Sequence, residues 1–334
     1  MEMKIGKIPD MILNRSVFKQ KKHRRAEVQA GLGTNMDACA LKVAPDELLV
    51  LSTNPVIGTS FDHPQKAVHC VLNNIIAKGG EPIGILVTIL LPIGSSEENL
   101  RMLMQGLERV CEDLGIEIIG GHTEVAVAIN QPVLSLTGVG KKKDDYGTQE
   151  GLNPSDELVM TQWAGYEGAA ILASDKKMEL SKRYSIDFLE GTKEAGSTIS
   201  ILDAAKIGRE NSVKLMHDVT SGGIFGALWE IASAYKIGFV VDLKKIPIRQ
   251  ETIEVCEFFE LNPYLLTSRG CLLLVTEHGN ELVSKLSQAG ILAAVIGRIT
   301  QNQDKIIMND DEMRHLEPPK EEELLKAYES VEKE

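Results

Sequence analysis

The stretch Met216-His217-Asp218-Val219-Thr220-Ser221-Gly222-Gly223 places an imidazole, a carboxylate and a hydroxyl directly before a pair of glycines. The preceding Ser212 to Met216 reads as a short buried strand. From Ile224 onward, Phe225, Leu228, Trp229, Ile231 and Ala232 recur at helical spacing. A strand that turns through glycine into a helix presents free backbone N–H groups and the positive end of the helix dipole, a natural seat for phosphate or carboxylate. The same residues also read as a plain helix start, with Asp218 or Thr220 as the cap and His217 as a satisfied core histidine.

Working outward, strand and helix signals alternate on both sides of this junction. In the first half, Glu47 to Thr53 reads as a strand closing in an Asn54-Pro55 turn, and Pro64 to Lys78 as a helix with Asp62 as a possible cap. The stripe of that helix is Ala67, Val68, Val71, Leu72, Ile75 and Ile76, which leaves Asn74 on its flank. Ile83 to Leu91 is a covered strand. Ser95-Ser96-Glu97-Glu98 offers a capping box for a helix reaching Leu114, and Gly115 stops it. Ile116 to Ile119 is a strand expected to break into the turn Gly120-Gly121-His122-Thr123-Glu124, and Val133 to Val139 is another strand.

In the second half, strands are expected at Glu157 to Gln162, Gly238 to Asp242, Cys271 to Val275 and Ala293 to Ile299. Helices are expected after Gly165-Tyr166-Glu167-Gly168, over Ser181 to Leu189, Ser197 to Ile207, Ile253 to Phe259 and Glu281 to Ala289, and from about Pro319. The charged, aperiodic run Lys141 to Asp145 marks a boundary, so two mixed α/β domains are expected, residues 1–145 and 146–334.

Composition narrows the function classes. The chain has 334 residues, 43% of them hydrophobic and 25% charged, as in ordinary globular proteins. A formal charge of −12 argues against a nucleic-acid surface. No apolar run is long enough to span a membrane and the start does not resemble a signal peptide, so the cytoplasm is the expected compartment. Five cysteines without a CxxC pair read as buried thiols rather than a zinc site or a disulfide framework. The basic cluster Lys19 to Arg25 reads as a solvated segment, or alternatively as a lid or arm that meets an anionic substrate or docks a partner.

No phosphate loop, nucleophile elbow or dinucleotide fingerprint is present. What remains is a set of polar residues at strand or glycine ends: Asp37, Asn54, Asn74, His122 after Gly120-Gly121, and His217-Asp218. Oxygen-bearing side chains in such places suit magnesium, which takes carboxylates, waters and substrate phosphates.

In order along the chain, these residues resemble the aminoimidazole-ribonucleotide synthase (PurM-like) superfamily, which includes the hydrogenase-maturation protein HypE, thiamine-monophosphate kinase and selenophosphate synthetase. The motifs most similar to HypE-like members are Lys4-Ile5-Gly6-Lys7-Ile8-Pro9, Gly165-Tyr166-Glu167-Gly168-Ala169-Ala170-Ile171-Leu172, His217 to Gly223, and Leu261-Asn262-Pro263-Tyr264 with Gly270. The resemblance implies an N-terminal mixed sheet that forms a barrel in a homodimer, a C-terminal α/β sandwich, and ATP with magnesium used to activate a substrate oxygen.

By the same resemblance, Asp37 and Asp218 would hold metal, and Asn54, Asn74, Gly120, Gly121, Thr220, Gly222 and Gly223 would line the cofactor. His122, His217 and Asp218 would stand at the chemistry, with His217 orienting Asp218. The substrate is a small molecule or a partner's modified group, and a maturation partner protein is implied. Where members of the superfamily usually carry aspartate, this chain has Asn54 and Asn74. The C-terminal cysteine of HypE and the N-terminal cysteine of selenophosphate synthetases are both missing. Two outcomes follow: an ATP-dependent enzyme with altered metal ligation, or a dimeric paralogue that binds a nucleotide or other anion without turnover.

Overall fold

The computed structural model describes residues 3–31, 38–57, 64–143, 152–196 and 198–329. The chain divides into two compact units, Met1–Asp145 and Tyr146–Glu334.

The first unit runs β1 (Gly6–Lys7), α1 (Asp10–Ser16), β2 (Val28–Ala30), β3 (Ala40–Leu41), β4 (Glu47–Ile57), α2 (Pro64–Ala77), β5 (Glu81–Leu91), α3 (Glu97–Leu114), β6 (Glu117–Val125) and β7 (Val133–Lys143). Its five-stranded sheet has the order β1-β6-β5-β7-β4, with β5 and β6 parallel and the other pairs antiparallel. The predicted stripe of α2 is buried throughout. Ile75 of that stripe lies against Gly138 and Gly140 of β7, where an added Cβ would come within 2.8 and 2.4 Å of it. Because side chains alternate across a sheet, α2 covers the face built from Ile85, Val87, Ile89 and Leu136. The opposite face carries Leu51, Thr88, His122 and Ser135, with Leu51 and His122 exposed.

Two expected turns prove to be strand. Asn54-Pro55 lies inside β4, and Pro55 is tolerated because β4 is the edge of the sheet, paired only with β7. Gly120-Gly121-His122 lies inside β6, where a register shift opposite Ile85/Leu86 absorbs one residue. The strand continues there because Gly121 packs so closely that a Cβ would strike the backbone of Val87.

The capping box takes a simpler form. Ser96 accepts the amide of Asn99, and Glu97 turns instead to Arg15, Ser16 and Arg101. The basic segment is neither a lid nor a free arm. Lys21 forms a buried ion pair with Glu117, the amides of Lys22 and His23 donate to Glu108, and Arg25 pairs with Glu27 and Glu81. Acidic side chains from elsewhere in the unit hold it down, which neighbouring sequence could not reveal.

The second unit runs β8 (Glu157–Thr161), α4 (Tyr166–Asp175), α5 (Lys177–Leu180), α6 (Ile186–Ala195), α7 (Leu202–Glu210), β9 (Leu215–Val219), α8 (Gly223–Tyr235), β10 (Gly238–Asp242), α9 (Gln250–Phe258), β11 (Cys271–Thr276), α10 (Gly279–Gln288), β12 (Ala293–Thr300), the hairpin β13 (Lys305–Asn309) and β14 (Glu312–His315), and α11 (Lys326–Glu329). The sheet order is β14-β13-β10-β12-β8-β11-β9, with only β10 and β13 parallel. Helix α8 packs Ile224, Leu228 and Ile231 on Leu158, Met160, Leu215 and Leu273, while α4, α6 and α9 share a second core around Leu172, Leu189 and Val255.

Several boundaries move from their expected places. The strand expected at 212–216 begins at Leu215, because Ser212 holds a left-handed turn at φ 55°. The segment expected to be helical over 181–189 becomes so at Ile186, after the Ser185 cap, and the next helix begins at Leu202. Pro318-Pro319 delays the last helix, which forms only at Lys326. Cys70, Cys111, Cys256 and Cys271 are buried free thiols, and burial pushes the Cys256 thiol up to about 12.

Candidate functional site

In the second unit the site is built on the junction between β9 and α8. His217 and Asp218 are consecutive in a regular strand, register-paired with Leu273 and Leu272, so their side chains leave opposite faces. His217 therefore does not orient Asp218. It lies on the side of Leu215 and Val219, under α8, where its Nε2 is 2.7 Å from Glu230 Oε2. Asp218 is buried on the far side, at 8% exposure. Glu230 had no signal in the sequence, because its partner lies 13 residues away across a turn.

Gly222 (φ 81°) and Gly223 (φ 60°) both take left-handed backbone. Helix α8 starts at Gly222 with no side-chain cap, so neither Asp218 nor Thr220 serves as one. A Cβ on Gly223 would fall 2.5 Å from the Tyr264 carbonyl oxygen and 2.7 Å from that of Leu266, and only glycine fits. Gly223 donates its amide to Thr220 O, and Phe225 to Tyr264 O. The amides of Ser221, Gly222 and Ile224 make no hydrogen bond among the described residues, the pattern of a helix start that can take an anion, while Ser221 Oγ donates to Glu322 Oε1 at 3.2 Å.

The loop that seats this helix start is itself clamped. Glu167, on the first turn of α4, is buried and accepts from Thr267 Oγ1 (2.8 Å), the Arg269 amide (3.0 Å) and Arg269 Nη1 (2.9 Å). Gly165 donates its amide to Ser268 Oγ, and Gly168 to Thr267 O. Tyr166 donates its hydroxyl to Thr198 O, and burial raises its pKa well above the ordinary phenol value. Three motifs distant in sequence, Gly165-Tyr166-Glu167-Gly168, Asn262 to Gly270 and Thr220 to Gly223, thus form one construction. Its function is to fix the backbone at the start of α8.

In the first unit the predicted residues divide. Asn54, level with Leu136, and Asn74, on α2, belong to the helix-covered side of the sheet, and Asn74 Nδ2 donates to Ser52 Oγ at 2.9 Å. His122, level with Thr88 and Ser135, is on the opposite face. There its Nε2 is 3.0 Å from Glu124 Oε2. Gly120 shares that face and Gly121 does not. Asp37 lies outside the described residues.

The donor set fits a nucleotide phosphate at the α8 amides. For magnesium, no group of three His, Cys, Asp or Glu side chains gathers among the described residues. Asp218 is a carboxylate beside the turn, whereas Asn54 and Asn74 are neutral. A single carboxylate suits a metal carried in by a polyphosphate rather than a protein-built cage. Among the described residues, no helix is long and apolar enough to cross a membrane.

Comparison with known proteins covers most of the chain. Residues 35–141 match the family model for the AIR synthase related protein N-terminal domain, and residues 153–309 match that for the C-terminal domain. A putative hydrogenase expression/formation protein of Methanocaldococcus jannaschii is 23% identical over 91% of each chain. The carbamoyl dehydratase HypE of Rhizobium leguminosarum bv. viciae is 25% identical over 72% of this chain and 69% of its own. Among solved structures, hydrogenase maturation protein HypE in complex with ATP superposes with a TM-score of 0.77 at 19% identity, covering 95% of this chain and 96% of that one.

Proposed function

We propose, from the premise that this chain belongs to the AIR synthase related family, that it is an ATP-dependent enzyme that phosphorylates or dehydrates an oxygen-bearing substrate. The observation that carries this reading is the uncapped start of α8, where the glycine turn leaves the amides of Ser221, Gly222 and Ile224 for a phosphate. Backbone donors of this kind stabilise charge on a transferring phosphoryl group without having to reorganise.

On this reading Thr220, Gly222 and Gly223 shape the phosphate seat, and Asp218 is the carboxylate beside it. Magnesium, bound with the nucleotide, would neutralise phosphate charge. Glu230 holds His217 with one ring nitrogen fixed, which sets the imidazole as a proton-handling group. On the same reading Asp37, Asn54, Asn74, Gly120, Gly121 and His122 would bind nucleotide or substrate within the first unit, in two sets because Asn54 and His122 lie on opposite faces. The open sheet face with Leu51 exposed supports a homodimer made through the first unit. A solved HypE-HypF complex, together with the hydrogenase expression/formation relative, supports a partner protein in hydrogenase maturation.

One observation favours a second reading, a dimeric nucleotide- or anion-binding paralogue without turnover. Asn74 already spends an amide proton on Ser52, a role that an aspartate ligand would not have. Calorimetric titration with ATP, with and without magnesium, tests both. Submillimolar binding strengthened by magnesium, with release of phosphate, supports the enzyme. Binding indifferent to magnesium and without turnover supports the paralogue, and no binding at millimolar ATP refutes the enzyme and any nucleotide-binding form of the paralogue.

A further inference from the structure

A cavity of about 520 Å³ opens in the second unit beside the first turn of α8. That volume is within the range of small-molecule sites. Its apolar lining includes Phe225, Leu265, Ile307 and Leu316. Phe225 is stacked on Tyr264, with ring centroids 5.3 Å apart and planes 18° from parallel, which stiffens this wall. Arg314 and His315 line the same cavity from the end of β14. Arg314 is register-paired with Ile307, so both belong to one face of the β13–β14 hairpin.

The charges around this cavity are unequally committed. Glu317 is held by Lys320 at 3.4 Å, and Glu323 by Lys326 at 2.8 Å and by the Asn262 amide at 2.8 Å. The side chains of Arg314 and His315 make no hydrogen bond or ion pair among the described residues, and Glu321 is the carboxylate of the lining in the same condition. Burial raises the Tyr264 phenol pKa and the positive charge of Arg314 lowers it. A planar cation beside an apolar, aromatic-walled cavity matches a ligand with a flat or apolar body and one carboxylate, sulfonate or phosphate head. Glu321, at the end of the Pro318-Pro319 segment, disfavours a second negative charge.

We infer that the cavity between the first turn of α8 and the β13–β14 hairpin is a binding site for a small amphipathic anion, with Arg314 holding the anionic head and Phe225, Leu265 and Leu316 the apolar body. Ser221 and Gly222 line a neighbouring depression that shares Pro318, Pro319, Lys320 and Glu321 with this cavity, whereas Phe225, Leu265, Arg314 and Leu316 line this cavity and not that one, so the inference does not depend on the nucleotide reading.

The test uses the full chain with 8-anilino-1-naphthalenesulfonate as the probe, followed by fluorescence and calorimetry, with 1-naphthoate and 1-naphthylmethylamine as competitors. The expected result is one saturable site that naphthoate clears and the amine does not. Its affinity should fall roughly tenfold or more in Arg314→Ala, the scale of a lost charge-assisted hydrogen bond, and less in Arg314→Lys. ATP should not displace the probe. Binding equal in all three proteins, equal competition by the amine, or no saturable site overturns the inference. Displacement by ATP overturns its independence from the phosphate seat. Arg314 is exposed, so both variants are expected to fold, and circular dichroism verifies it.

Discussion

Glu167→Gln probes the clamp that holds the phosphate seat. The carboxylate is buried at 3% exposure and accepts three hydrogen bonds, two of them from Arg269, whose side chain is 18% exposed. Glutamine keeps the shape but removes the charge and turns an N–H₂ toward Arg269 or the Thr267–Arg269 backbone, where a donor meets a donor. Breaking a buried ion pair costs about 3–5 kcal/mol. Partial exposure of Arg269 places the expected loss near the lower end, about 3 kcal/mol. For a unit of this size that corresponds to roughly 6–12 °C in melting temperature.

Urea and thermal denaturation followed by circular dichroism measure the loss, and calorimetry should show weaker ATP binding, since the 262–270 loop carries the carbonyls that seat α8. Glu190→Gln, which breaks the exposed Lys177 pair, is the control and should cost no more than about 1 kcal/mol. Glu167→Gln/Arg269→Met should recover part of the loss, because both charges leave together. A loss below about 1 kcal/mol for Glu167→Gln, or a double variant worse than the sum of the single ones, would refute the clamp.

Arg15 and Ser16 hold the Glu97 carboxyl down at about 2, against an ordinary value of 4.5. A depressed carboxylate stabilises the fold fully above its unfolded pKa and loses that contribution as pH falls through the folded value. Stability of the first unit should therefore decline between about pH 4.5 and 2, and Glu97→Gln should flatten that limb in acid titration by circular dichroism; an unchanged limb contradicts the assignment. Asn54→Asp with Asn74→Asp should make ATP binding more dependent on magnesium, and a flat calorimetric response would show that these positions do not face the metal. Leu51→Glu, at a side chain 63% exposed, should leave folding stability within about 0.5 kcal/mol. In sedimentation it should turn a micromolar dimer into monomer, and an unchanged dimer removes the open sheet face from the interface.

Local signals in the sequence carried the regular elements well. The α2 stripe and the Ser96 and Gly115 ends of α3 depend on residues three or four apart, and so does the apolar face of α8 after its glycines; within that range periodicity and capping operate. The order of motifs likewise carried the family. Turn chemistry was misleading where the sheet overrode it. Asn54-Pro55 and Gly120-Gly121 both read as turns, yet an edge position accepts the proline and a close strand contact requires the glycine.

Which residues face one another was decided only by tertiary structure. The sequence places His217 beside Asp218, while the pleat sends them to opposite faces and gives His217 to Glu230. It shows Lys19 to Arg25 as a basic run, while Glu108, far along the chain, holds its backbone and Glu117 pairs with Lys21. The junction at Met216 to Gly223 announced itself because two glycines before an amphipathic helix are a local signal. Its rigidity comes from Glu167, Arg269 and the Tyr264 carbonyl, partners tens of residues away that only the folded chain brings together.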